Sequence, residues 1–109
     1  MRMLTPIITL LAALAAFPAV AQPANQPAGD IPAGRAIAQT WCANCHAVEI
    51  TAQQTADGVP SFPAIARMAS TTQLSLHAFL QTPHQRMPNF QLSRQQIDDV
   101  AAYILSLKP

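Results

Sequence analysis

Charged residues are scarce in this chain of 109 residues: Asp, Glu, Lys and Arg make up 10%, and the formal net charge is +1. Without an excess of either sign, the sequence gives no indication of a nucleic-acid partner or of binding to an anionic membrane surface. Two cysteines are too few for a wider disulfide framework. Strand patterns are almost absent, which argues against folds of alternating strands and helices.

Long hydrophobic runs are confined to the start of the chain. Arg2 precedes an apolar run over residues 6–19, and the Ala-Val-Ala sequence at 19–21 has the small-x-small pattern of a cleavage site. We therefore expect a secretory signal peptide over residues 1–21, which would place the mature protein in the periplasm. The alternative, a retained membrane anchor, is disfavoured because the run is shorter than about 20 residues and Pro18 interrupts its end.

One small domain is expected after this segment. Residues 22–29 predict a flexible linker, and residues 30–109 predict a single folded domain. A domain of about 80 residues buries only about 60% of its extended surface, so it is marginal unless something staples it.

The motif that carries most of the functional information is Cys42-Ala43-Asn44-Cys45-His46. The pattern Cys-x-x-Cys-His is the attachment signature of a c-type haem. Two intervening residues allow one helical turn to present both sulfurs, each of which would add to one haem vinyl group. We expect one haem c to be attached through Cys42 and Cys45. We expect His46 to direct its imidazole at the iron.

Other sites could use the same cysteines. In an oxidising compartment, Cys42 and Cys45 could form the disulfide of a thioredoxin-like redox protein, although such folds need strands that this sequence does not predict. A zinc site could add His77 and His84, but structural zinc sites usually recruit closely spaced ligand pairs, and these two histidines are seven residues apart and on different local elements. A chance match to the motif is a third possibility.

A proline-containing segment follows the motif and could support His46. Residues 58–63 read Gly-Val-Pro-Ser-Phe-Pro, which predicts rigid, extended backbone. A histidine that ligates a metal normally donates its second ring N–H to a nearby acceptor. We expect the Pro60 carbonyl to be this acceptor and Phe62 to pack near the ring edge; the alternative is a plain proline-rich turn.

A second proline-rich segment, residues 82–92, contains Met87 followed directly by Pro88. Long ordered loops in small domains tend to carry function. A methionine in a rigid, non-helical loop is a poor core filler but can hold a thioether against a metal. We therefore expect Met87 to be the second axial ligand, with Met68 and His84 as rivals.

Helical patterns cover much of the remaining sequence. We expect helices over residues 32–40, from 71 or 72 to 81, and from Ser93 to about 107, with a short helical turn over residues 65–69. Gly34 would allow a close helix approach, with the Tyr103 ring beside it. The pattern places His77, Asp98 and Asp99 on solvent-facing positions.

Together these motifs resemble a small bacterial class I cytochrome c over residues 30–109: Gly34, the Cys42–His46 motif, residues 58–62, Met87-Pro88 and residues 99–104. The resemblance implies an all-α cytochrome c fold of three to five short helices around one covalently bound haem. It also implies that the first and last helices cross at Gly34, with His46 and Met87 as axial ligands. One departure is Ala38, where the family usually has an aromatic residue; Trp41 or Ile37 would have to fill that space.

The expected function is a periplasmic one-electron carrier, because His/Met ligation leaves no open position on the iron for a substrate and so argues against an enzyme. Its partners would be redox proteins such as a dehydrogenase, reductase or oxidase, with the protein as a monomer or as a subunit of a redox complex. The alternatives are a dedicated haem subunit of such a complex, or a five-coordinate gas-binding or peroxidatic cytochrome if Met87 does not ligate.

Overall fold

A computed structural model describes residues 28–53 and 56–109, and within these ranges it contains four α-helices, one π-helical turn and no β-strand. The α-helices are α1 (Ile31–Ile37), α2 (Phe62–Arg67), α3 (Gln73–Gln81) and α4 (Arg94–Ser106), and the π-helical turn covers Ala38–Cys42. This confirms the expected all-α fold of three to five helices. None of the described helices is long and apolar enough to cross a membrane.

The predicted signal peptide, residues 1–21, and most of the predicted linker lie outside the described residues. The last two linker residues are described and contact the helices. The Gln73 amide of α3 donates to the Ala28 carbonyl, with 2.8 Å between Nε2 and O, and a Cβ atom added to Gly29 would overlap the Asp98 backbone of α4. The packed part of the chain therefore includes residues 28 and 29.

Side-chain caps set the starts of the helices. The side chains of Asp30, Ser61, Thr72 and Ser93 accept hydrogen bonds from backbone N–H groups at the starts of α1, α2, α3 and α4. Each of these bonds satisfies a donor that has no partner within its own helix. The capping box predicted at Ser93 and Gln96 is present, which confirms the expected start of α4.

The first helix does not end near residue 40 as predicted. It changes to π-helical geometry at Ala38, and the Ala43 N–H donates to the Ala38 carbonyl at 3.0 Å. The Thr40 hydroxyl donates to the Ala36 carbonyl at 2.8 Å. Because such side-chain bonds occupy helix carbonyls and distort the regular ladder, the wider turn continues to Cys42 and delivers the helix directly into the Cys-x-x-Cys-His motif.

The predicted helical turn over residues 65–69 is also displaced. The α2 helix begins at Phe62 and ends at Arg67, so Phe62 and Pro63 are helical and not extended. Proline is tolerated here because the first residues of a helix have no intrahelical partner for their N–H groups. Ser61 accepts from the Ala64 N–H at 3.2 Å and fixes this earlier start.

The α1 and α4 helices cross at Gly34, as the resemblance implied. A Cβ atom added to Gly34 would overlap the Asp99 carbonyl and would lie 3.0 Å from the Cβ of Tyr103. Contact between the two backbones therefore requires glycine at this position. Tyr103 lies beside Gly34, as expected from the sequence.

Both solvent-facing positions predicted on α4, Asp98 and Asp99, are wrong. Asp99 is 6% exposed, and its carboxylate accepts from the Asp30 N–H at 2.7 Å and from the Gln95 amide at 2.8 Å. Asp98 is half-buried and lies 2.7 Å from the His77 ring, measured from Oδ1 to Nδ1. His77 is therefore not solvent-facing either, because α3 packs against α4 at this point.

The core lies between α4 and the elements that pack on it. Its buried cluster comprises Ala38, Val48, Phe62, Ala66, Leu76, Val100, Ala101, Tyr103 and Ile104. Ile37 packs against this cluster and takes part of the space next to Ala38. Trp41 does not, because it is 37% exposed and contacts Phe90 instead.

Candidate functional site

The Cys42–His46 motif forms a tight turn at the end of the π-helical segment. The Cys42 carbonyl accepts hydrogen bonds from the N–H groups of Cys45, at 3.2 Å, and of His46, at 2.9 Å. Both thiols are free; Cys42 is half-buried and Cys45 is exposed. One backbone turn therefore holds both sulfurs and the imidazole in a single short segment.

The state of Cys42 argues against a redox-active disulfide. Burial raises the pKa of the Cys42 thiol to about 11. A cysteine that attacks disulfides needs the opposite shift, because the thiolate is the nucleophile. The surroundings of Cys42 are therefore unfavourable for thiol–disulfide exchange.

The hydrogen bond made by the His46 ring determines which nitrogen can ligate. Its Nδ1 atom lies 2.7 Å from the Pro60 carbonyl oxygen, the acceptor expected from the sequence. A carbonyl can only accept, so Nδ1 carries the proton and donates. In the neutral imidazole the lone pair is then on Nε2, which is the arrangement found when a histidine ligates a metal.

Three further contacts fix His46 and the two residues that follow it. The Phe62 ring lies 5.4 Å from the His46 ring, and the Phe62 N–H donates to the Ala47 carbonyl at 2.9 Å. The Tyr103 hydroxyl donates to the Val48 carbonyl at 2.7 Å. These contacts connect His46 to α2 and α4, so the helices of the core determine where its ring lies.

A polar cluster lies just beyond this segment. The Glu49 carboxylate accepts from the Arg35 guanidinium and from the Gln39 amide, each at 2.8 Å. The hydrogen bond and charge of Arg35 hold the pKa of Glu49 below its usual value. The hydrogen bond and charge of Glu49 in turn raise the pKa of Arg35. The cluster joins α1 and the π-helical turn to the residues that follow His46.

Met87 lies in a segment that contacts the residue before the Cys42–His46 motif through an aromatic pair, Trp41 and Phe90. It is half-buried in the segment after α3 and lines a small pocket of about 20 Å³ with Phe79, Leu80, Pro88, Phe90 and Leu92. Phe90 lies 5.7 Å from Trp41, the residue before Cys42, measured between ring centroids. The Met87 segment is therefore anchored next to the Cys42–His46 turn.

The pocket beside Met87 does not extend to Cys42, Cys45 and His46. Its volume is room for about one or two water molecules and not for a ring. The Trp41–Phe90 contact is instead what brings the two parts of the candidate site together.

The rival ligands have other surroundings. Met68 is the C-cap of α2 and is 51% exposed. The His84 ring stacks on Phe79, with 3.7 Å between centroids, while His77 pairs with Asp98. Among residues 28–53 and 56–109, no three His, Cys, Asp or Glu side chains are close enough to hold a metal ion, so the zinc site considered above is not assembled.

Sequence reasoning missed the ring contacts that involve Trp41, Phe79 and Phe90. Aromatic residues make up 6% of the sequence, and each Phe, Tyr and Trp within the described ranges contacts another ring. In a chain so poor in aromatic residues, their rarity was the available signal that each has a specific neighbour.

Comparison with known proteins gives two matches over this part of the chain. The sequence model of the family described as "Cytochrome C oxidase, cbb3-type, subunit III" matches residues 29–104. A cytochrome c-552 from Bradyrhizobium diazoefficiens is 43% identical over 82 residues, which cover 75% of this chain and 79% of that protein. No solved structure matches significantly.

Proposed function

Because this chain belongs to the small class I c-type cytochromes, we propose that it is a periplasmic electron carrier whose single haem iron is ligated by His46 and Met87. The observation that carries this proposal is the hydrogen bond from His46 Nδ1 to the Pro60 carbonyl at 2.7 Å. It leaves Nε2 as the ligating atom of the motif's histidine, in the same turn as two free thiols.

The residues of the motif suit covalent attachment of the haem. Each thiol, of Cys42 and of Cys45, adds its S–H across one vinyl group, so that a thioether forms and no oxidant is consumed. Two thioethers and His46 then fix the position of the group relative to α1 and α2. When bound, haem supplies a one-electron couple between ferric and ferrous iron.

Met87 has the role of the second axial ligand. Its soft thioether favours the ferrous state and raises the reduction potential. Two occupied axial positions leave no room on the iron for substrate, which supports a carrier and not an enzyme. Pro88 and the neighbouring aromatic contacts limit the freedom of the Met87 segment, so that ordering the thioether costs little conformational entropy.

Periplasmic location is supported by the predicted signal peptide over residues 1–21. Covalent attachment of haem in bacteria takes place outside the cytoplasm, so export and the Cys-x-x-Cys-His motif belong to one maturation route. Protein recovered from the periplasm should begin after Ala21, as measured by intact mass. A mass that includes residues 1–21 would contradict cleavage and support a retained anchor.

A second candidate function is a haem subunit of a larger oxidase or dehydrogenase. It is favoured by the description of the matching family, which names an oxidase subunit. A subunit should remain bound to its complex during purification at moderate salt, whereas a free carrier should elute alone. Purification from the native membrane and periplasmic fractions distinguishes the two.

The proposed ligation is tested by replacing Met87 with Ala in protein matured in the periplasm. Wild-type ferric protein should show the methionine-to-iron charge-transfer band at the red end of the visible spectrum, and Met87→Ala should abolish it. Met68→Leu is the matched control and should leave the band unchanged. A pyridine haemochrome spectrum should report two thioethers in all three proteins.

A different result would identify the alternative. If wild-type protein lacks the band and its iron binds carbon monoxide rapidly in the ferrous state, the iron is five-coordinate. That outcome would contradict the carrier proposal and support a gas-binding or peroxidatic cytochrome.

A further inference from the structure

The segment that carries Met87 is held by very few polar contacts. Among the described residues, no hydrogen bond involves residues 83–88, and the prolines at 83 and 88 have no N–H to donate. The nearest hydrogen bonds lie at its edges: Thr82 bonds back to α3, and the Gln91 N–H donates to the Asn89 side chain at 3.0 Å. The position of Met87 must therefore be set by side-chain packing.

Two aromatic contacts flank Met87 at equal distances along the chain. Three residues before it, the His84 ring stacks on Phe79 of α3, with 3.7 Å between centroids and 26° between ring planes. Three residues after it, Phe90 contacts Trp41, with 5.7 Å between centroids and 36° between planes. One contact anchors the segment to α3 and the other anchors it to the turn before Cys42.

The Phe79–His84 stack was not predicted from the sequence, and the proposed function gives it no role. Phe79 is 46% exposed although it is a large apolar side chain, so general burial does not explain its position. Phe79, His84 and Met87 line the same small pocket. The stacked pair therefore connects the end of α3 to the half-buried thioether.

We propose that Phe79 and His84 are positioning residues for Met87: their stack holds the segment against α3 and so sets how often the thioether leaves the iron. This rests on the proposed ligation by Met87. Neither ring ligates the iron. Loss of either ring leaves the Met87 side chain unchanged but makes its segment more mobile. The fraction of protein in which the thioether is not bound to the iron therefore rises.

The test uses imidazole, which binds ferric haem when the Met87 thioether is not bound to the iron. The apparent dissociation constant for imidazole falls in proportion as the fraction of protein with a detached Met87 thioether rises. We expect Phe79→Leu and His84→Ala each to lower this constant by roughly two- to tenfold, the range that corresponds to loss of an aromatic pair. His84→Phe keeps a ring at the position and should restore the wild-type value.

The double variant Phe79→Leu/His84→Ala tests whether the two rings act as one unit. Because removal of either ring already breaks the stack, the double variant should bind imidazole about as tightly as each single variant. Fully additive effects would show that the rings act independently and would overturn the proposal.

His77→Ala is the control for general destabilisation. It removes the contact with Asp98 from the same helix, so it should lower the denaturant midpoint without changing imidazole affinity. If His77→Ala tightens imidazole binding as much as Phe79→Leu does, the effect follows overall stability and the positioning role is wrong.

The outcomes separate this inference from the proposed function. A wild-type spectrum without the methionine charge-transfer band contradicts ligation by Met87 and overturns both. A wild-type spectrum with the band, together with unchanged imidazole affinity in Phe79→Leu and His84→Ala, overturns the inference alone and leaves Met87 as the ligand.

Discussion

Tyr103 is a single residue of α4 that stabilises the segment next to His46. Its Cβ atom lies beside Gly34 of α1, and its ring lies 6.4 Å from the Phe62 ring. Its hydroxyl donates to the Val48 carbonyl at 2.7 Å, in a buried position. Burial raises the pKa of Tyr103, and the hydrogen bonding and charge of Glu49 raise it further, so the phenol stays protonated where free tyrosine begins to ionise.

Replacing Tyr103 with Phe should lower the free energy of unfolding by about 1–2 kcal/mol at pH 7, because the buried Val48 carbonyl loses its donor. The raised pKa makes the wild-type advantage depend on pH. The contribution is fully present below the unfolded value of about 10 and is lost as pH rises through the folded value. Guanidinium unfolding of both proteins at pH 7 and pH 11 measures this difference.

Leu76→Ala provides the comparison for Tyr103→Phe. Leu76 is buried and has no titratable group, so its cost should be the same at both pH values. A difference between wild type and Tyr103→Phe that stays constant from pH 7 to pH 11 would contradict the role assigned to the Tyr103 proton.

At the scale of elements, the crossing of α1 and α4 organises the fold. Gly34 permits contact between the two backbones, and the buried Asp99 carboxylate of α4 accepts from the Asp30 N–H at the start of α1. Asp30 in turn caps α1 by accepting from the Ala33 N–H at 2.8 Å. The π-helical turn follows α1 directly. The crossing therefore also fixes where Cys42 and His46 lie relative to α4.

Gly34→Ala should destabilise the protein by about 1–3 kcal/mol, because the added methyl group overpacks the α1–α4 contact. Helix propensity alone predicts the opposite, a gain of about 1 kcal/mol, so the sign of the change decides which effect dominates. Thermal unfolding followed by far-ultraviolet circular dichroism gives the measurement.

Gly58→Ala is the matched control for the crossing. Gly58 has a φ of 73°, but a Cβ atom there would meet no other atom within 4 Å. Its cost should therefore be limited to about 1–2 kcal/mol of backbone strain. If Gly34→Ala were as stable as wild type, the helices would not be in the close contact that we describe.

For the molecule as a whole, the distribution of charge differs from the near-neutral formal count. Four of the acidic side chains accept internal hydrogen bonds: Asp30, Glu49, Asp98 and Asp99. Among the Arg and Lys side chains of the described residues, Arg35 pairs with a carboxylate, and the exposed ones without such a pair are Arg67, Arg86, Arg94 and Lys108. The exposed charged side chains without an internal hydrogen bond or ion pair are therefore mainly positive.

Because the core is small, we expect the whole molecule to depend on the proposed attachment of haem. The Cys42→Ser/Cys45→Ser variant removes both tethers, and a domain of about 80 residues gains too little from burial alone to offset the conformational entropy of folding. We expect this variant to lose most of its helical circular dichroism signal at 25 °C.

Met87→Ala is the comparison for the loss of attachment, because it keeps His46 and the two cysteines that are proposed to form the thioethers. This variant should stay helical and unfold cooperatively at a lower denaturant concentration than wild type. A Cys42→Ser/Cys45→Ser variant that remained helical with a cooperative transition would show that the polypeptide core is sufficient without a staple.

Local patterns were enough to predict several features of this protein. The Cys-x-x-Cys-His motif, the caps of α3 and α4 and the proline segment near His46 all depend on residues close together in the chain. Cap side chains bond to backbone groups three residues away, so the determinants of a helix start are visible in the sequence itself. The roles of Met87, Cys42 and Cys45 in holding haem remain predictions of the same kind.

Only the tertiary structure decided the contacts between distant residues. Asp99 was assigned to solvent from its polarity, yet its partner, the Asp30 N–H, is 69 residues away. The pairing of His77 with Asp98 and the two ring contacts beside Met87 likewise join separate elements. A pattern of polar and apolar residues records which positions favour water, but a buried polar group is stabilised by a partner that the chain brings to it only on folding.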